Sequence, residues 1–257
     1  MTYLVICTVA LLASALTFFS GFGLGTLLLP AFALFFPIEQ AVALTAVVHF
    51  LNGLFKLVLV GQHADWRVVL RFGLPATAMS FLGAWVLVWL AGVAPVFSYS
   101  AFGQLVSVMP VKLAVGLLLL AFASLELLPQ FRNLSFAPLF MPLGGLLSGF
   151  FGGLSGMQGA LRSAFLSRAG LTKEAFIGTG VVIACLIDFS RLAIYSTSVA
   201  SESSRFNYRL LAAALLAAFL GGALGNRYLK KTTMPGIQLV VAVMLFVVAL
   251  GLVFGLL

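Results

Sequence analysis

Charged residues are scarce in this sequence. Only 8% of its 257 residues are Asp, Glu, Lys or Arg, whereas 63% are hydrophobic. A soluble domain of this length would carry about 25% charged residues. Apolar runs of about 20 residues, each long enough to cross a bilayer as a helix, recur along the whole chain. The scarcity of charge therefore excludes an ordinary soluble domain and predicts an all-α, polytopic membrane protein.

Cysteine and histidine are almost absent. The two cysteines, Cys7 and Cys185, are far apart and form no CxxC pair. They are expected to be small buried side chains, which disfavours a thiol oxidoreductase. The two histidines, His49 and His63, belong to no cluster of acid, histidine and nucleophile such as an intramembrane enzyme needs. We therefore expect no enzyme activity, no catalytic residue, no metal and no cofactor.

Acidic residues are fewer than basic ones. The chain has 14 Lys and Arg against 6 Asp and Glu, a net charge of +8. Basic loops are retained in the cytoplasm, which accounts for most of this excess. Cations within apolar segments indicate instead a small anionic substrate. The cations are spread along the chain, so nucleic-acid binding is not expected; membrane lipids are the other predicted partner, and a homodimer is left open.

The chain contains an internal duplication. Three segments of the first half, "EQAVALTAVV", "ADWRVVLRFGLPA" and "MPVKLAVGLLLL", return in the same order as "KEAFIGTGVV", "FNYRLLAAALLAA" and "MPGIQLVVAVML". A glycine-rich segment upstream, "SGFGLGTLLLP" at Ser20–Pro30, has its counterpart in "GGLSGMQG" at Gly152–Gly159. Four matches in one order predict two homologous transmembrane repeats, residues 1–133 and 134–257.

Each repeat opens with a hydrophobic block that has glycines at its middle. Residues 3–36 as one helix would extend about 51 Å, against a hydrocarbon core of about 30 Å. Two complete spans would need about 40 residues. This block and its counterpart, residues 137–168, are therefore predicted to contain a broken or re-entrant helix. The glycines concerned are Gly21, Gly23, Gly25, Gly156 and Gly159.

The topology has two solutions, with 8 to 10 membrane segments. One crossing per opening block gives eight spans and parallel repeats, and divides the basic residues almost equally between the two faces. A block that turns back gives ten crossings and inverted repeats. Most loop cations then lie on one face, opposed only by Lys112, Arg205 and Arg209. The positive-inside rule favours the inverted arrangement, with both termini outside.

Polar residues form a stripe in the block 41–61. Thr45, His49, Asn52 and Lys56 are spaced four, three and four residues apart, which places them on one helical face. Ionisable residues inside a membrane are costly and are functional candidates by default. Interhelical hydrogen bonding by His49 and Asn52 is the structural alternative. Lys56 is expected to extend its ammonium group to the interface.

The second repeat carries a different polar set. Gln158 and Arg162 are four residues apart, and no acidic residue is near Arg162 in sequence, so Arg162 is expected to be an unpaired cation. Asp188 and Arg191 are three apart and are expected either to form a structural salt bridge or to bind substrate through Arg191. His49 and Asp188 are candidates for proton coupling.

The glycine breaks and the polar residues together predict an anion site. Free backbone N–H groups and the positive end of a half-helix attract anions, and transporters bind substrates at such breaks in repeat-related positions near mid-membrane. Close helix packing through small residues is the alternative. The predicted site lies between the repeats and contains Gly21, Gly23, Gly25, His49, Asn52, Gly156, Gln158, Gly159, Arg162 and Arg191.

Five segments carry a resemblance to a known family. "SGFGLGTLLLP", "EQAVALTAVVHFLNG", "HADWRVVLRFG", "GLLSGFFGGLSGMQG" and "TKEAFIGTG" resemble the sulfite exporter TauE/SafE family of bacterial membrane transporters. The second glycine segment differs from the family's pattern, with Arg162 and no following proline. The resemblance implies a multi-pass protein of the bacterial inner membrane that exports sulfite, sulfoacetate or related organosulfonates. An anion channel or a proton-coupled uptake carrier for another small organic anion is the alternative, and an intramembrane enzyme is less favoured.

Overall fold

The computed structural model describes residues 1–16, 24–101, 103–127, 135–199, 207–228 and 235–257. This part of the chain is mostly helical, which confirms the predicted class of helical membrane protein. By length and composition, five helices are able to cross a membrane. They are Ile38–His63, Trp66–Ala91, Pro138–Ser155, Lys173–Ser196 and Tyr208–Gly225, and shorter apolar helices cover Thr2–Ala15, Leu24–Ala33 and Pro110–Ser124.

The first half of the chain contains six α-helices and a two-stranded sheet within the described residues. A 3-10 turn at Gly61–His63 follows α3, and a π-helical segment at Val69–Gly73 joins α4 to α5. The elements are α1 (Thr2–Leu16), α2 (Leu24–Ala33), α3 (Ile38–Val60), α4 (Trp66–Val68), α5 (Leu74–Ala91), β1 (Phe97–Ala101), β2 (Gln104–Val108) and α6 (Pro110–Leu127).

The second half contains five described helices after a 3-10 turn at Pro138–Phe140. In each half, an Asp or Asn side chain in a loop caps the N-terminus of the helix that follows. The Asp65 carboxylate accepts hydrogen bonds from the backbone N–H groups of Arg67 and Val68, and Asn207 Oδ1 accepts one from Leu210 N. The helices are α7 (Met141–Ser155), α8 (Gly159–Leu166), α9 (Lys173–Val199), α10 (Tyr208–Tyr228) and α11 (Pro235–Val253).

The β-hairpin is a departure from the all-α expectation. β1 and β2 pair antiparallel, with Phe97 opposite Val108 and Ala101 opposite Gln104. The local sequence "FSYS" alternates aromatic and polar residues at the period of a strand. Gly103 has φ +76°, a turn conformation that glycine adopts without strain. This alternation covers only four residues, and it lies between apolar blocks that are long enough to form membrane helices.

The opening block of each half is divided into two helices that pack on each other. In the second half, a Cβ atom added to Gly152 would meet Gln158, and one added to Gly144 would meet Phe165. The order of these contacts means that α8 runs back along α7. In the first half, Ala13 of α1 packs with Leu24 and Leu27 of α2. The second block is interrupted between Ser155 and Gly159, whereas Gly21 and Gly23 of the first block lie outside the described residues.

The halves pack against each other through pairs of helices. α3 lies antiparallel to α9, because Gly53 meets Cys185 and the end of α3 at Val60 meets Gly178. α6 lies antiparallel to α11, with Gly116 of α6 close to Ala249 and Val253 near the end of α11. α5 also packs on α9, and further extensive contacts join α1 to α10 and α5 to α7.

Glycines determine how closely the last two pairs approach. Cβ atoms at Gly145, Gly149 and Gly153 of α7 would collide with the backbone of Phe72, Ala76 and Ser80, the last two on α5 and the first in the π-helical segment before it. Gly221 and Gly225 of α10 face the backbone of Leu11 and Ala15 of α1 in the same way. Both pairs run parallel, since the residue numbers rise together along the contact. Close packing through small residues therefore accounts for part of the glycine content.

Candidate functional site

A buried carboxylate lies at the centre of the polar contacts between α3 and α9. Oδ2 of Asp188 is 2.5 Å from Nδ1 of His49. Because an ionised carboxylate only accepts hydrogen bonds, His49 donates from Nδ1. Oδ1 of Asp188 accepts a hydrogen bond from Nε of Arg191 at 2.9 Å. The predicted Asp188–Arg191 salt bridge is therefore confirmed, and the side chains of both residues are fully buried.

A second branch of the network reaches α8. Nε2 of Gln158 donates to Oδ1 of Asp188 at 3.4 Å, and Oε1 of Gln158 accepts from Nη1 of Arg162 at 3.1 Å. Ser148 of α7 donates to the backbone oxygen of Gln158, which holds the start of α8 in place. The expectation that Arg162 is unpaired is therefore wrong, because Gln158, one turn away, links it to Asp188.

The two glycine breaks approach each other beside this network. A Cβ atom added to Gly25, in the first turn of α2, would lie 3.4 Å from the backbone oxygen of Gly156 and 3.6 Å from Cδ2 of His49. Gly156 ends α7 with φ +80°, and Gly159 begins α8. A Cβ at Gly156 would lie 2.5 Å from Nη1 of Arg191. Only a residue without a side chain lets this guanidinium approach the backbone of the break.

The Arg191 guanidinium retains donor capacity. Nη2 lies 2.8 Å from Oδ1 of Asp188, yet neither Nη2 nor Nη1 makes a hydrogen bond of good geometry with a described residue. The hydroxyl of Tyr195, which donates to the backbone oxygen of Gly153, interacts with the same guanidinium. Buried donors without well-placed acceptors are costly, so this position suits a ligand with acceptor oxygens.

Lys56 is buried rather than extended to the membrane interface. Its relative exposure is only 9%. The expectation that Lys56 reaches the interface is therefore wrong. The reason is the packing of α3 against α9, which places this face of α3 in the interior.

The buried charges do not cancel. Within the described residues, the buried side chains that carry a charge at neutral pH are three cations, Lys56, Arg162 and Arg191, and one carboxylate, Asp188. Three positive charges and one negative charge give the cluster a formal charge of +2, with His49 counted as neutral. This excess of positive charge would attract an anion to these residues.

Asn52 lies apart from this network. Its Oδ1 accepts a hydrogen bond from Ser14 of α1 at 3.3 Å and faces Gly222 of α10. It therefore joins α1, α3 and α10, which is the structural alternative that the sequence left open. His49 and Asn52 share a helix face but meet different neighbours, because three residues along a helix correspond to a rotation of about 60° from full alignment.

Two residues of the network were missed in the sequence. Tyr195 follows Arg191 by four residues and Asp188 by seven, so the helical spacing that identified the ion pair also indicated Tyr195. Ser148 gave no comparable signal, since its role is a backbone contact between α7 and α8. Among the described residues, no three His, Cys, Asp or Glu side chains are grouped so as to hold a metal ion.

The comparisons with known proteins identify one relationship. The family model described as "Sulfite exporter TauE/SafE" matches residues 6–252, almost the whole chain. No curated protein and no solved structure gives a match. The match covers both glycine breaks and every residue of the polar network.

Proposed function

Since this chain belongs to the sulfite exporter TauE/SafE family, we propose that it is a secondary transporter that exports sulfite, sulfoacetate or a related organosulfonate across the inner membrane of a bacterium. Membership in a family of sulfur-anion transporters and five helices of membrane-crossing length support this role. The protein is proposed to act without catalysis or a cofactor.

The observation that carries the proposal is the buried cluster of formal charge +2 between the two breaks. The proposed binding site contains the backbone of Gly25, Gly156 and Gly159 and the side chains of His49, Gln158, Arg162 and Arg191. Asp188 orients the two arginines, Arg191 through a direct bond and Arg162 through Gln158. Guanidinium groups suit sulfur oxyanions because their planar donors match two oxygens at once. Gly21 and Gly23 stay predictions of the sequence pattern, whereas Asn52 accepts a hydrogen bond from Ser14 and lies apart from the proposed site.

Export of an anion needs no ATP under this proposal. Each negative charge that leaves an inside-negative cell gains about 2.3 kcal/mol per 100 mV of membrane potential. The sequence has no Walker A motif. The His49–Asp188 contact supports a proton-coupled variant, which uptake against the potential would require and export would not. A channel is the other alternative, and saturation of the flux separates it from a carrier.

We propose further that residues 1–133 and 134–257 are inverted repeats. Matched helices α3 and α9 are antiparallel, as are α6 and α11. The reciprocal pairs α1 with α10 and α5 with α7 are both parallel, as a two-fold axis in the membrane plane requires. The return of α8 along α7 supports a chain that turns back within each opening block, rather than one that crosses once.

The topology predicts that the loops 61–67 and 198–208 lie on opposite faces of the membrane. Asp65 N donates to Thr179 Oγ1 near the start of α9, whereas the second loop follows the end of that helix. Gln62→Cys and Ser203→Cys, each in a chain with Cys7 and Cys185 replaced by alanine, are expected to react with an impermeant maleimide from different sides of oriented vesicles. Labelling of both from the same side would contradict inverted repeats; a permeant maleimide provides the control.

The substrate class is tested by binding to the purified protein. Sulfite, sulfoacetate, thiosulfate, sulfate, taurine and lactate are compared as additives in a thermal-unfolding assay. A sulfur anion at 100 times its dissociation constant is expected to stabilise the protein by about 2.7 kcal/mol, because it binds only the folded state. If lactate stabilises the protein and no sulfur anion does, the proposed substrate class is wrong.

A further inference from the structure

The hydroxyl of Thr45 is buried without a hydrogen-bond partner. Thr45 is 1% exposed, and its Oγ1 makes no hydrogen bond within the described part of the chain. Several other hydroxyls on the described helices donate to the backbone oxygen one turn earlier, as at Thr77, Ser124, Ser155 and Ser190. A buried hydroxyl without a partner costs free energy. The position therefore suits a ligand that offers an acceptor oxygen.

The packing of α3 on α9 places Thr45 opposite Arg191. Two contacts define the register of this antiparallel pair, Gly53 with Cys185 and His49 with Asp188. From the first contact to the second, α3 goes back by four residues and α9 goes forward by three. One further step of the same size pairs Thr45 with Arg191. The two steps advance about 6 Å and about 4.5 Å along their helices, so both residues lie on the same side of the His49–Asp188 contact.

Arg191 brings further hydrogen-bonding capacity to this level of the helix pair. Its Nη1 and Nη2 lack well-placed acceptors among the described residues, although Nη2 is 2.8 Å from Oδ1 of Asp188. The glycines of the proposed site lie alongside. A Cβ atom added to Gly156 would be 2.5 Å from Nη1 of Arg191, and one added to Gly25 would be 3.6 Å from Cδ2 of His49. The hydroxyl and the guanidinium therefore meet at the proposed anion site.

We propose that Thr45 binds the substrate and selects anions with three oxygens on sulfur over carboxylates. The inference rests on the proposed function, since it names a specificity-determining residue of the same site. The planar donors of a guanidinium match two oxygens of an anion. Sulfite and sulfonates are pyramidal and have a third oxygen, to which the Thr45 hydroxyl donates. A carboxylate has only two oxygens, so it leaves this hydroxyl without a partner.

Methanesulfonate and acetate are matched probes, because each is a methyl group that carries one negatively charged acid group. They differ in having three oxygens or two. Titration of each probe in a thermal-unfolding assay gives its dissociation constant and also the melting temperature of the empty protein. Thr45→Val removes the hydroxyl at similar volume, and Thr45→Ser retains it.

Thr179→Val is the control variant. Thr179 occupies the matching position in the second repeat and is fully buried, but its hydroxyl accepts a hydrogen bond from the backbone N–H of Asp65. Its hydroxyl therefore has a structural partner, which the Thr45 hydroxyl lacks.

The wild-type protein is expected to bind methanesulfonate about tenfold or more tightly than acetate, because a hydrogen bond to a charged group changes affinity by about this factor. In Thr45→Val this ratio is expected to fall to about threefold or less, through weaker methanesulfonate binding. The empty Thr45→Val protein should melt no lower than the wild type, since no hydrogen bond is lost. Thr45→Ser is expected to keep the ratio. Thr179→Val is expected to keep it too, but to melt about 3 °C lower or more.

The outcomes separate this inference from the proposed function. Equal affinities for the two probes in the wild-type protein overturn the selection by oxygen number, and an unchanged ratio in folded Thr45→Val overturns the role of Thr45. Both results leave the transport proposal standing. If neither methanesulfonate nor sulfite binds the wild-type protein, the proposed function fails and takes this inference with it. Thr45→Ala repeats the test if Thr45→Val does not fold, and the wild-type comparison needs no variant.

Discussion

Asp188→Asn is expected to lower the thermal stability of the protein more than any other single change in the polar network. The substitution removes the one negative charge of the cluster and leaves Lys56, Arg162 and Arg191 buried together. Breaking a buried ion pair by removing one partner costs about 3–5 kcal/mol. For a chain of this size, 1 kcal/mol corresponds to about 2–4 °C in melting temperature, so a loss of about 10 °C is expected in a thermal-unfolding assay without substrate.

Two further variants make this result specific. Glu174→Gln removes an exposed carboxylate from the first turn of the same helix and is expected to change the melting temperature little. The double variant Asp188→Asn with Arg191→Gln removes both charges of the pair and is expected to recover part of the lost stability. If Asp188→Asn has the same melting temperature as Glu174→Gln, the Asp188 network does not stabilise the fold.

Arg162→Gln is expected to reduce sulfite transport about 100-fold while the protein stays folded. The substitution removes a guanidinium that Gln158 orients beside the second glycine break. Loss of one partner of a buried charge pair weakens binding by about 2–5 kcal/mol. The empty protein should tolerate the change, because cations outnumber the carboxylate in the cluster. The measurement is the initial rate of sulfite efflux from reconstituted vesicles.

Arg168→Gln provides the matched control for this variant. Arg168 is an exposed arginine just after α8, six residues from Arg162, and its loss is expected to leave the flux within about twofold of the wild-type rate. A folded Arg162→Gln protein that transports sulfite at the wild-type rate would remove Arg162 from the substrate site.

Much of the site was predictable because the spacing of residues along a helix determines which of them share a face. The stripe from Thr45 to Lys56 is indeed turned inward, and Asp188 does pair with Arg191. Spacing does not determine which neighbour a face meets. The contact of His49 with Asp188 joins residues 139 positions apart, and it follows from the antiparallel packing of α3 on α9. The same packing separates Asn52 from the site and buries Lys56.

The glycines were harder to interpret, because glycine serves two purposes here. Gly145 and Gly149 let α7 approach α5 and its π-helical start closely, whereas Gly156 takes a left-handed conformation and lies against Arg191. The residue type is glycine in both roles, so the sequence does not distinguish them. Only the helix pairing and the backbone dihedral angle distinguish a packing glycine from one at a helix break.

The most direct test of the account is sulfite efflux from vesicles that contain only this protein. With an imposed inside-negative potential, we expect an efflux that saturates with internal sulfite and that accelerates as the potential increases, because negative charge leaves the vesicle. Vesicles without protein provide the baseline. An efflux no faster than this baseline, from protein shown to be folded and inserted, would contradict the proposal that this chain exports sulfur anions.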